Sequence, residues 1–453
     1  IEAGPDLPSS IYIHSHHRGR EEDLALAVRP LISAMDSGFV VMDGAGRDPK
    51  YAAGRKGWTA INCASKRAYG CGDIGNSAVQ DLDLLLHHGD LENLSSSLSV
   101  RAGDQFFRWI DQLIAAKGAR RPSDRGLRSK VEVVDKGLIV VSLSYSLYAG
   151  FDYYLVFDSV DSSLSMIPYI PHSWATCNTK RPLPLRHDGG GGGYTLVLFG
   201  GEFGFARERP NKFLWRWSPT AASSDAWQSN KLIFPSEINN KLFSPDLLFS
   251  CNGCAFWTDL ALGTLKCDCS TLLSDCRVVK FDFISLPPGC QLERDEDTWP
   301  VQVYRTMGYA GGSVKFVAID DPDDPCDGSC VSSMKVWTLA PSGRKWKLCS
   351  DFQLKKLWKD FKRAGLPKNL PIWPMLREQE GDTLYFILEE ETQTRDGGQK
   401  HHLCRLDMST KSHLQSKLLA HASLIQGPVM LPSGFLKCLE PLPSSPEPIL
   451  MDV

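Results

Sequence analysis

A short unit that opens on a glycine recurs along most of this chain. Each copy continues with an apolar run, a turn and a second apolar run, at intervals of 53 to 69 residues. The opening glycines are Gly137, Gly193, Gly253, Gly312, Gly381 and Gly434. Runs rich in Val, Phe, Trp and Thr, bounded by Gly and Pro, are typical of antiparallel strands. Repetition near this period, with about four strands per unit, predicts a β-propeller.

The number of blades follows less directly from the repeats. The segment that begins at Gly38 is a further copy, and Gly434 is expected to supply only the strands that close the ring on the first blade. The predicted fold is therefore mainly β, an irregular six- or seven-bladed propeller with inserted N-terminal helices. Seven full blades and an open double sheet stay open as alternatives.

The N-terminal part has a different character. Helical spacing of apolar residues predicts helices at 21–37, 81–94 and 104–117. Asp104 is expected to cap the last of these, which ends at Gly118. The predicted organisation is a mixed segment, with a first blade and a helical insertion, then the repeat region and a short tail. Their bounds are 1–130, 131–441 and 442–453.

Composition places the chain among ordinary globular proteins. Of its 453 residues 42% are hydrophobic and 23% are charged, and the net charge is -3. This charge gives no general attraction to nucleic acid, and no apolar run approaches the ~20 residues that cross a bilayer. The chain has 14 cysteines without the density of a small disulfide-stapled scaffold, and Cys254, Cys349, Cys404 and Cys438 lie in apolar runs, which favours reduced thiols. A cytoplasmic or nuclear protein is expected, with import into an organelle after loss of a transit peptide left open.

One cluster of cysteines offers an alternative as a zinc site. Cys251, Cys254, Cys267 and Cys269 supply enough thiolates for a tetrahedral ion. Cys251 and Cys254 stand three apart, however, which on one strand would place them on opposite faces. Buried thiols are the preferred interpretation, and no metal or other cofactor is predicted.

Other polar segments are interpreted as surface features. The acidic stretch 320–327, the glycine run 189–193 and the histidines His14, His16 and His17 lack the spacing of ion or phosphate sites. His401 and His402 precede an apolar run, where alternation would point one inward and one outward. No G-x-S-x-G or H-E-x-x-H motif is present, so no catalytic residue is predicted.

The residues 354–363 predict a basic amphipathic helix. Leu354, Leu357, Trp358 and Phe361 follow the i, i+3, i+4, i+7 pattern of one apolar face. The remaining face is basic, and a second basic segment precedes the repeats. The predicted partner-binding residues are Lys355, Lys356, Trp358, Lys359, Lys362, Arg363, Arg120 and Arg121. The preferred interpretation of the helix itself is one that packs between two blades with its lysines in solvent.

Tryptophans recur within the second runs of the repeats. They are Trp215, Trp217, Trp227, Trp337 and Trp346. Large aromatic side chains at repeating positions usually pack between blades, so a core role is expected first.

The central repeats also carry a resemblance to a known family. The stretches YTLVLFGG, FSPDLLFSCNGCAFWTDLALGTLKCDC, FDFISLPPG, GGSVKFVAID and GDTLYFILEE resemble the plant family called "domain of unknown function 1618", which is expanded in grasses. The resemblance covers 131–441 and is most specific over 247–289. It implies a relationship to F-box-associated and kelch-like propellers, and it brings no reaction, cofactor or catalytic residue.

These observations lead to one leading functional hypothesis and two alternatives. The leading one is a non-enzymatic scaffold or adaptor, of a plant regulatory or defence type, that binds another protein through propeller loops. The first alternative is binding of RNA or a ribonucleoprotein through the basic segments 117–130 and 353–363. The second is an enzyme with residues gathered in the propeller channel.

Overall fold

Strands make up most of the structure, and they form six sheets of four or five strands. The computed structural model describes residues 41–43, 58–87, 95–116, 118, 127–145, 151–170, 181–187, 193–202, 211–219, 227–238, 243–293, 300–320, 333–341, 343–390, 400–419 and 428–430. All of them belong to one unit of the chain, Gly38–Val453. No helix among them is long and apolar enough to span a membrane.

The six sheets are the blades of a six-bladed propeller. The strand that begins each blade contacts the corresponding strand of a neighbouring blade, so these strands surround a common axis. From the axis outward, blade one contains β27 (Pro428–Met430), β1 (Val41–Asp43), β5 (Ser95–Ala102), β4 (Leu82–His87) and β2 (Trp58–Ala60). Blade two contains β6 (Leu127–Asp135), β7 (Leu138–Tyr145), β8 (Phe151–Asp158), β9 (Ser163–Pro168) and β3 (Ser65–Ala68). Blade three contains β10 (Leu183–Arg186), β11 (Tyr194–Glu202), β12 (Asn211–Trp217), β13 (Gln228–Ile233) and β17 (Val278–Lys280).

The remaining three blades have four strands each. Blade four contains β14 (Leu247–Cys251), β15 (Cys254–Asp259), β16 (Gly263–Asp268) and β18 (Asp282–Ser285). Blade five contains β19 (Arg305–Ala310), β20 (Ser313–Ile319), β21 (Ser333–Leu339) and β22 (Trp346–Gln353). Blade six contains β23 (Ile372–Leu376), β24 (Thr383–Glu390), β25 (Lys400–Asp407) and β26 (Ser412–Leu419). The prediction of a mainly-β propeller is confirmed, with six blades.

The ring closes by pairing distant parts of the chain. β27 lies antiparallel to β1, with Val41 opposite Met430 and Met42 opposite Val429. The strand predicted after Gly38 therefore exists at Val41–Asp43 and belongs to the closing blade. Gly434, which was expected to open the closing segment, lies outside the described residues.

The recurring glycines mark one structural position. Gly137, Gly193, Gly253, Gly312 and Gly381 each lie between the first and second strand of a blade. Asn252 and Gly253 have φ angles of 48° and 72°, which is the left-handed backbone of a two-residue hairpin turn. The sequence repeat is therefore a repeat of hairpins at one end of the axis.

Alternating residues on the blade strands face two different neighbours. On β15, Ala255 and Trp257 pack toward blade three, whereas Phe256 packs toward blade five. The predicted core role of the tryptophans agrees with this packing: Trp215, Trp217, Trp227 and Trp337 are buried, and Trp346 is half-buried. Burying side chains of this size is worth about 2–3 kcal/mol each.

Two blades receive an outer strand from a neighbouring part of the chain. β3 pairs in parallel with β9 of blade two, and β17 pairs in parallel with β13 of blade three. These additions connect blade one to blade two and blade four to blade three at the rim.

One of the predicted helices is a strand in the structure. The described helices are α1 (Gly72–Gln80), α2 (Asp104–Ala116), α3 (Cys269–Leu273) and α4 (Leu354–Arg363), with short 3-10 turns at Ser236–Ile238 and Val301–Val303. The predicted helix 81–94 is wrong over Leu82–His87, which is strand β4. Its leucines fill both faces of a buried strand, and such a run satisfies helical spacing as well. The predicted helix 21–37 lies outside the described residues.

The helix α2 confirms the predicted apolar stripe but not the predicted cap. Phe106, Ile110 and Ile114 are buried beside blades one and two. The backbone N–H of Gln105, in the first turn of the helix, donates to the Asp81 carboxylate at 2.8 Å. Asp104 is itself the first helical residue, so the capping group comes from the end of α1.

Candidate functional site on the propeller rim

The basic helix predicted at 354–363 is present as α4, with the bounds that were predicted. It follows β22 directly and lies against β22 and β26, the last strands of blades five and six. Lys362 and Arg363 occupy its last turn, where positive charge is favourable to the helix dipole. The amphipathic pattern of the sequence and the favourable position of these two cations both stabilise α4.

The apolar face of α4 is buried in the core between blades five and six. Leu354, Leu357 and Phe361 are buried, and they pack with Phe352, Phe386 and Leu406. The interpretation of a helix lying between two blades is therefore correct for this face. An occupied apolar face cannot also enter a membrane surface.

The opposite face of α4 is a dense group of cations. Lys355, Lys356, Lys359, Lys362 and Arg363 are all exposed. Arg363 pairs with Asp360 at 3.1 Å, and among the described residues no acidic group lies within ion-pair distance of the four lysines. Such a face attracts negative charge at the protein surface.

Trp358, the aromatic residue of the predicted site, is fixed by contacts within the protein and is not fully exposed to a partner. The Trp358 indole N–H donates to the backbone oxygen of Asn369 at 3.2 Å. Lys368 Nζ lies 5.1 Å from the centre of the ring. Trp358 is half-buried, so it fixes the helix more than it offers a contact surface.

The second basic segment does not join the first. Arg120 and Arg121 lie outside the described residues. Arg128 and Lys130 belong to β6, the axial strand of blade two, whereas α4 lies at the rim of blades five and six. The structure thus places the described parts of the two basic segments in different regions.

A second set of polar groups lies at the axis, at the end that carries the hairpin turns. Ser250 Oγ, in blade four, donates to Asp135 Oδ2, in blade two, at 2.6 Å. Burial raises the pKa of the Asp135 carboxyl to about 6, against the lowering effect of the Ser250 hydrogen bond. These residues are 115 positions apart in the chain, so sequence spacing carried no signal for the contact.

A further polar network crosses the axial strands. Glu132 is the extra residue of a bulge in β6, and its buried carboxylate accepts a hydrogen bond from Ser142 Oγ at 2.7 Å. Lys130 Nζ and Arg181 Nε both lie 3.6 Å from Glu132 Oε2. Arg181 also donates to the backbone oxygen of Asp246 in front of blade four. The acid is matched by cations, so the network joins blades two, three and four.

The structure separates the four clustered cysteines into two pairs. Cys251 and Cys254 are partners across a hairpin, so they share a face and pack toward blade five. The expectation of opposite faces was wrong because a two-residue turn stands between them. Cys267 and Cys269 pack instead toward blade three. Burial raises the pKa values of the Cys251 and Cys267 thiols to about 12. Within the described stretches no group of His, Cys, Asp and Glu is arranged to hold a metal ion.

The remaining polar candidates are placed only in part. His401 is buried with Nε2 3.4 Å from Glu389, and His402 Nε2 lies 3.0 Å from Glu390. The residues 321–327, 189–192 and the N-terminal histidines lie outside the described part of the chain. His401 and His402 thus form two neighbouring pairs with acids at one end of blade six.

A family model gives the first comparison with known proteins. Residues 257–385 match the family described as "Protein of unknown function (DUF1618)". Over these residues, the chain is similar to that family. The matched stretch runs from β15 of blade four to β24 of blade six, and it contains α4. Comparison with curated proteins gave no match.

Solved structures show only remote likeness to this chain. A Bombyx mori GH32 beta-fructofuranosidase, BmSUC1, is 12% identical with a TM-score of 0.29, covering 72% of this chain and 69% of that one. The Pseudomonas aeruginosa periplasmic gluconolactonase PpgL is 11% identical with a TM-score of 0.34, covering 82% and 88%. The tricorn protease is 12% identical with a TM-score of 0.30, covering 72% and 25%. Likeness at this level assigns no activity.

Proposed function

We propose that this chain is a protein-interaction scaffold and that its partner docks on the outer face of α4. The observation that carries the proposal is the division of the helix into two faces. Its apolar side is buried between blades five and six, while Lys355, Lys356, Lys359 and Lys362 are exposed. Positive charge that is not paired within the protein, on a rigid helix, orients an acidic partner as it approaches and increases its rate of association.

The alternatives that share this surface are less well supported. A membrane-bound helix needs its apolar face for lipid, and here that face is in the core. RNA binding through both basic segments would need a common surface, but Arg128 and Lys130 lie in an axial strand far from the rim helix in the fold. The resemblance to a plant family favours an adaptor in regulation or defence, in the cytoplasm or nucleus, as the setting.

The test is capture of a partner from native extract with charge-reversed variants. Lys355→Glu with Lys359→Glu reverses two cations one helical turn apart on the exposed face. Lys231→Glu with Lys280→Glu is the matched control, because both lysines are exposed on the outer strands of blade three. We expect a recurrent partner that the wild type and the control retain and the helix variant loses.

The outcomes separate the hypotheses. Loss of the partner after nuclease treatment would instead favour RNA. Recovery of chaperones alone, with every variant, would remove the scaffold hypothesis.

A further inference from the structure

The basic surface of α4 continues onto the strand that precedes it. β22 ends at Gln353 and α4 begins at Leu354, so the two form one continuous segment. Arg344 and Lys345, just before β22, and Lys347, within it, are exposed. Residues 344–363 contain eight basic and two acidic residues, although the whole chain carries a net charge of -3. The segment is therefore a local exception on an acidic protein.

An exposed leucine lies within this basic strand. Leu348 is 48% exposed, and its neighbours Lys347 and Cys349 are exposed as well. The strand is nevertheless held firmly, because the Trp346 indole N–H donates to the backbone oxygen of Ser285 in blade four at 2.7 Å. Leu348 pairs with Trp337 and Lys347 with Thr338, so the leucine and the lysine lie on opposite faces of this outer strand. A partner segment that follows the strand edge and combines acidic and apolar side chains can contact both.

The edge of β22 is protected against addition of another strand. Its pairing with β21 is interrupted by a bulge. Leu348 and Ser350 each lie opposite a residue of β21, whereas Cys349 between them has no cross-strand partner. Lys411 Nζ donates to the backbone oxygen of Asp351 at 3.2 Å. Bulges and lysines are the usual protection of edge strands. Recognition is therefore expected to use side chains rather than backbone pairing.

We propose that the first half of β22 and the outer face of α4 bind one acidic segment of a partner protein, with an apolar side chain of that segment against Leu348. This inference rests on the proposed function and adds the chemistry of the partner and a second contact. From Leu348 to Gln353 the strand spans about 17 Å, and the first residues of α4 add about 8 Å. An extended segment of about eight residues covers that distance.

The surface fits an acidic peptide better than single-stranded RNA. Binding of single strands relies on aromatic faces on which bases stack. Here Trp358 is half-buried below Lys368, and the half-buried Trp346 is tied to blade four. The exposed apolar group is the aliphatic Leu348.

The proposal is tested with a fluorescent Glu-rich peptide that carries a central pair of leucines, using the full-length protein and fluorescence anisotropy. We expect Lys345→Glu with Lys347→Glu to weaken binding roughly tenfold. We expect the same from Lys355→Glu with Lys359→Glu, while Lys231→Glu with Lys280→Glu binds like the wild type. All three variants change exposed side chains, so circular dichroism should show unchanged thermal unfolding.

Leu348 is tested by a double-mutant cycle. Leu348→Ser should weaken the leucine peptide several-fold and leave a peptide with serines in place of the leucines unaffected. Equal loss for both peptides would overturn the assigned apolar contact.

The outcomes distinguish this inference from the function on which it rests. If only the helix variant loses the peptide, the contact with β22 is wrong and the scaffold surface on α4 stands. If only the strand variant loses it, the assignment of α4 is wrong. No binding of the peptide by the wild type, or equal displacement by oligouridylate, would overturn the acidic segment as the ligand.

Discussion

Asp135 is a carboxyl group that the fold holds where its charge is unfavourable. Burial raises its pKa to about 6, from about 3.9 in an unfolded chain. The folded state therefore binds this proton more tightly, and the contribution of Asp135 to the free energy of unfolding is largest at acidic pH. It is lost as the pH rises through 6, by about 2–3 kcal/mol in total.

Asp135→Asn removes this titrating group, so the variant should not show the loss of stability with rising pH. The free energy of unfolding of the variant minus that of the wild type should therefore rise by roughly 2 kcal/mol as the pH increases from 4.5 to 7.5. Urea unfolding at several pH values measures the difference. Asp282→Asn, at an exposed position of β18, is the control. Equal pH dependence of the Asp135 variant and the wild type would contradict the raised pKa of this carboxyl.

Arg186 and Asp158 form an ion pair between blades two and three. Arg186 donates to both oxygens of Asp158, at 3.0 and 2.7 Å, and the side chain of Asp158 is 1% exposed. Asp158→Asn leaves a half-buried guanidinium without its counter-charge, so the free energy of unfolding should fall by about 3 kcal/mol. Urea unfolding checks it, with the exposed Asp161→Asn as control.

The double variant Asp158→Asn with Arg186→Met separates the pair from its parts. Because it removes the unmatched charge, it should recover much of the lost stability. Additive losses in the double variant would show that the two residues act independently.

Among the elements, two hairpin turns come into direct backbone contact. A Cβ on Gly311, whose φ is 56°, would lie 2.2 Å from the Cα of Gly381 in the next blade. Gly311→Ala should therefore lower the free energy of unfolding by more than 2 kcal/mol. Gly312→Ala is the matched control: its φ is 80°, but a Cβ there meets nothing within 4 Å. If both variants lose the same free energy of unfolding, backbone strain alone explains the loss and the close approach to Gly381 contributes nothing.

The two faces of α4 should respond separately to mutation. Phe361 is fully buried against Phe386, so Phe361→Ala should cost about 3–5 kcal/mol of the free energy of unfolding. Lys355→Glu with Lys359→Glu should change it by less than about 1 kcal/mol. Denaturant unfolding of both variants tests the division, and a large loss from the charge reversal would show that the lysines stabilise the fold.

Some of the secondary-structure elements could be predicted from the sequence, and others could not. Hairpins such as that at Asn252–Gly253 were predictable because a left-handed turn between strands selects Asn and Gly. α4 was predictable because its two faces differ in polarity over a full helix length. β4 was not, because a strand buried on both faces loses the alternation that identifies it. The parallel additions β3 and β17, and the contact of Asp135 with Ser250, depend on tertiary proximity that local patterns do not encode.

At the scale of the whole molecule, stability depends on closing the ring. β27, near the C-terminal end of the chain, is the axial strand of blade one and pairs with β1. Without β27, blade one would present β1 as an open edge beside the axis, and the contact between β27 and β6 of blade two would be lost. The blades are otherwise joined mainly by side-chain packing between neighbouring sheets.

Truncation before Pro428 should therefore open the propeller. Removal of 428–453 is compared with removal of 434–453, which retains β27. We expect the longer deletion to lower the unfolding temperature by roughly 5 °C or more relative to the shorter one. We also expect faster hydrogen exchange in β1 and β5, measured by mass spectrometry, because their hydrogen-bonded ladder loses its axial neighbour. If both truncated proteins unfold at the same temperature and exchange alike, the pairing of β1 with β27 does not hold the ring closed.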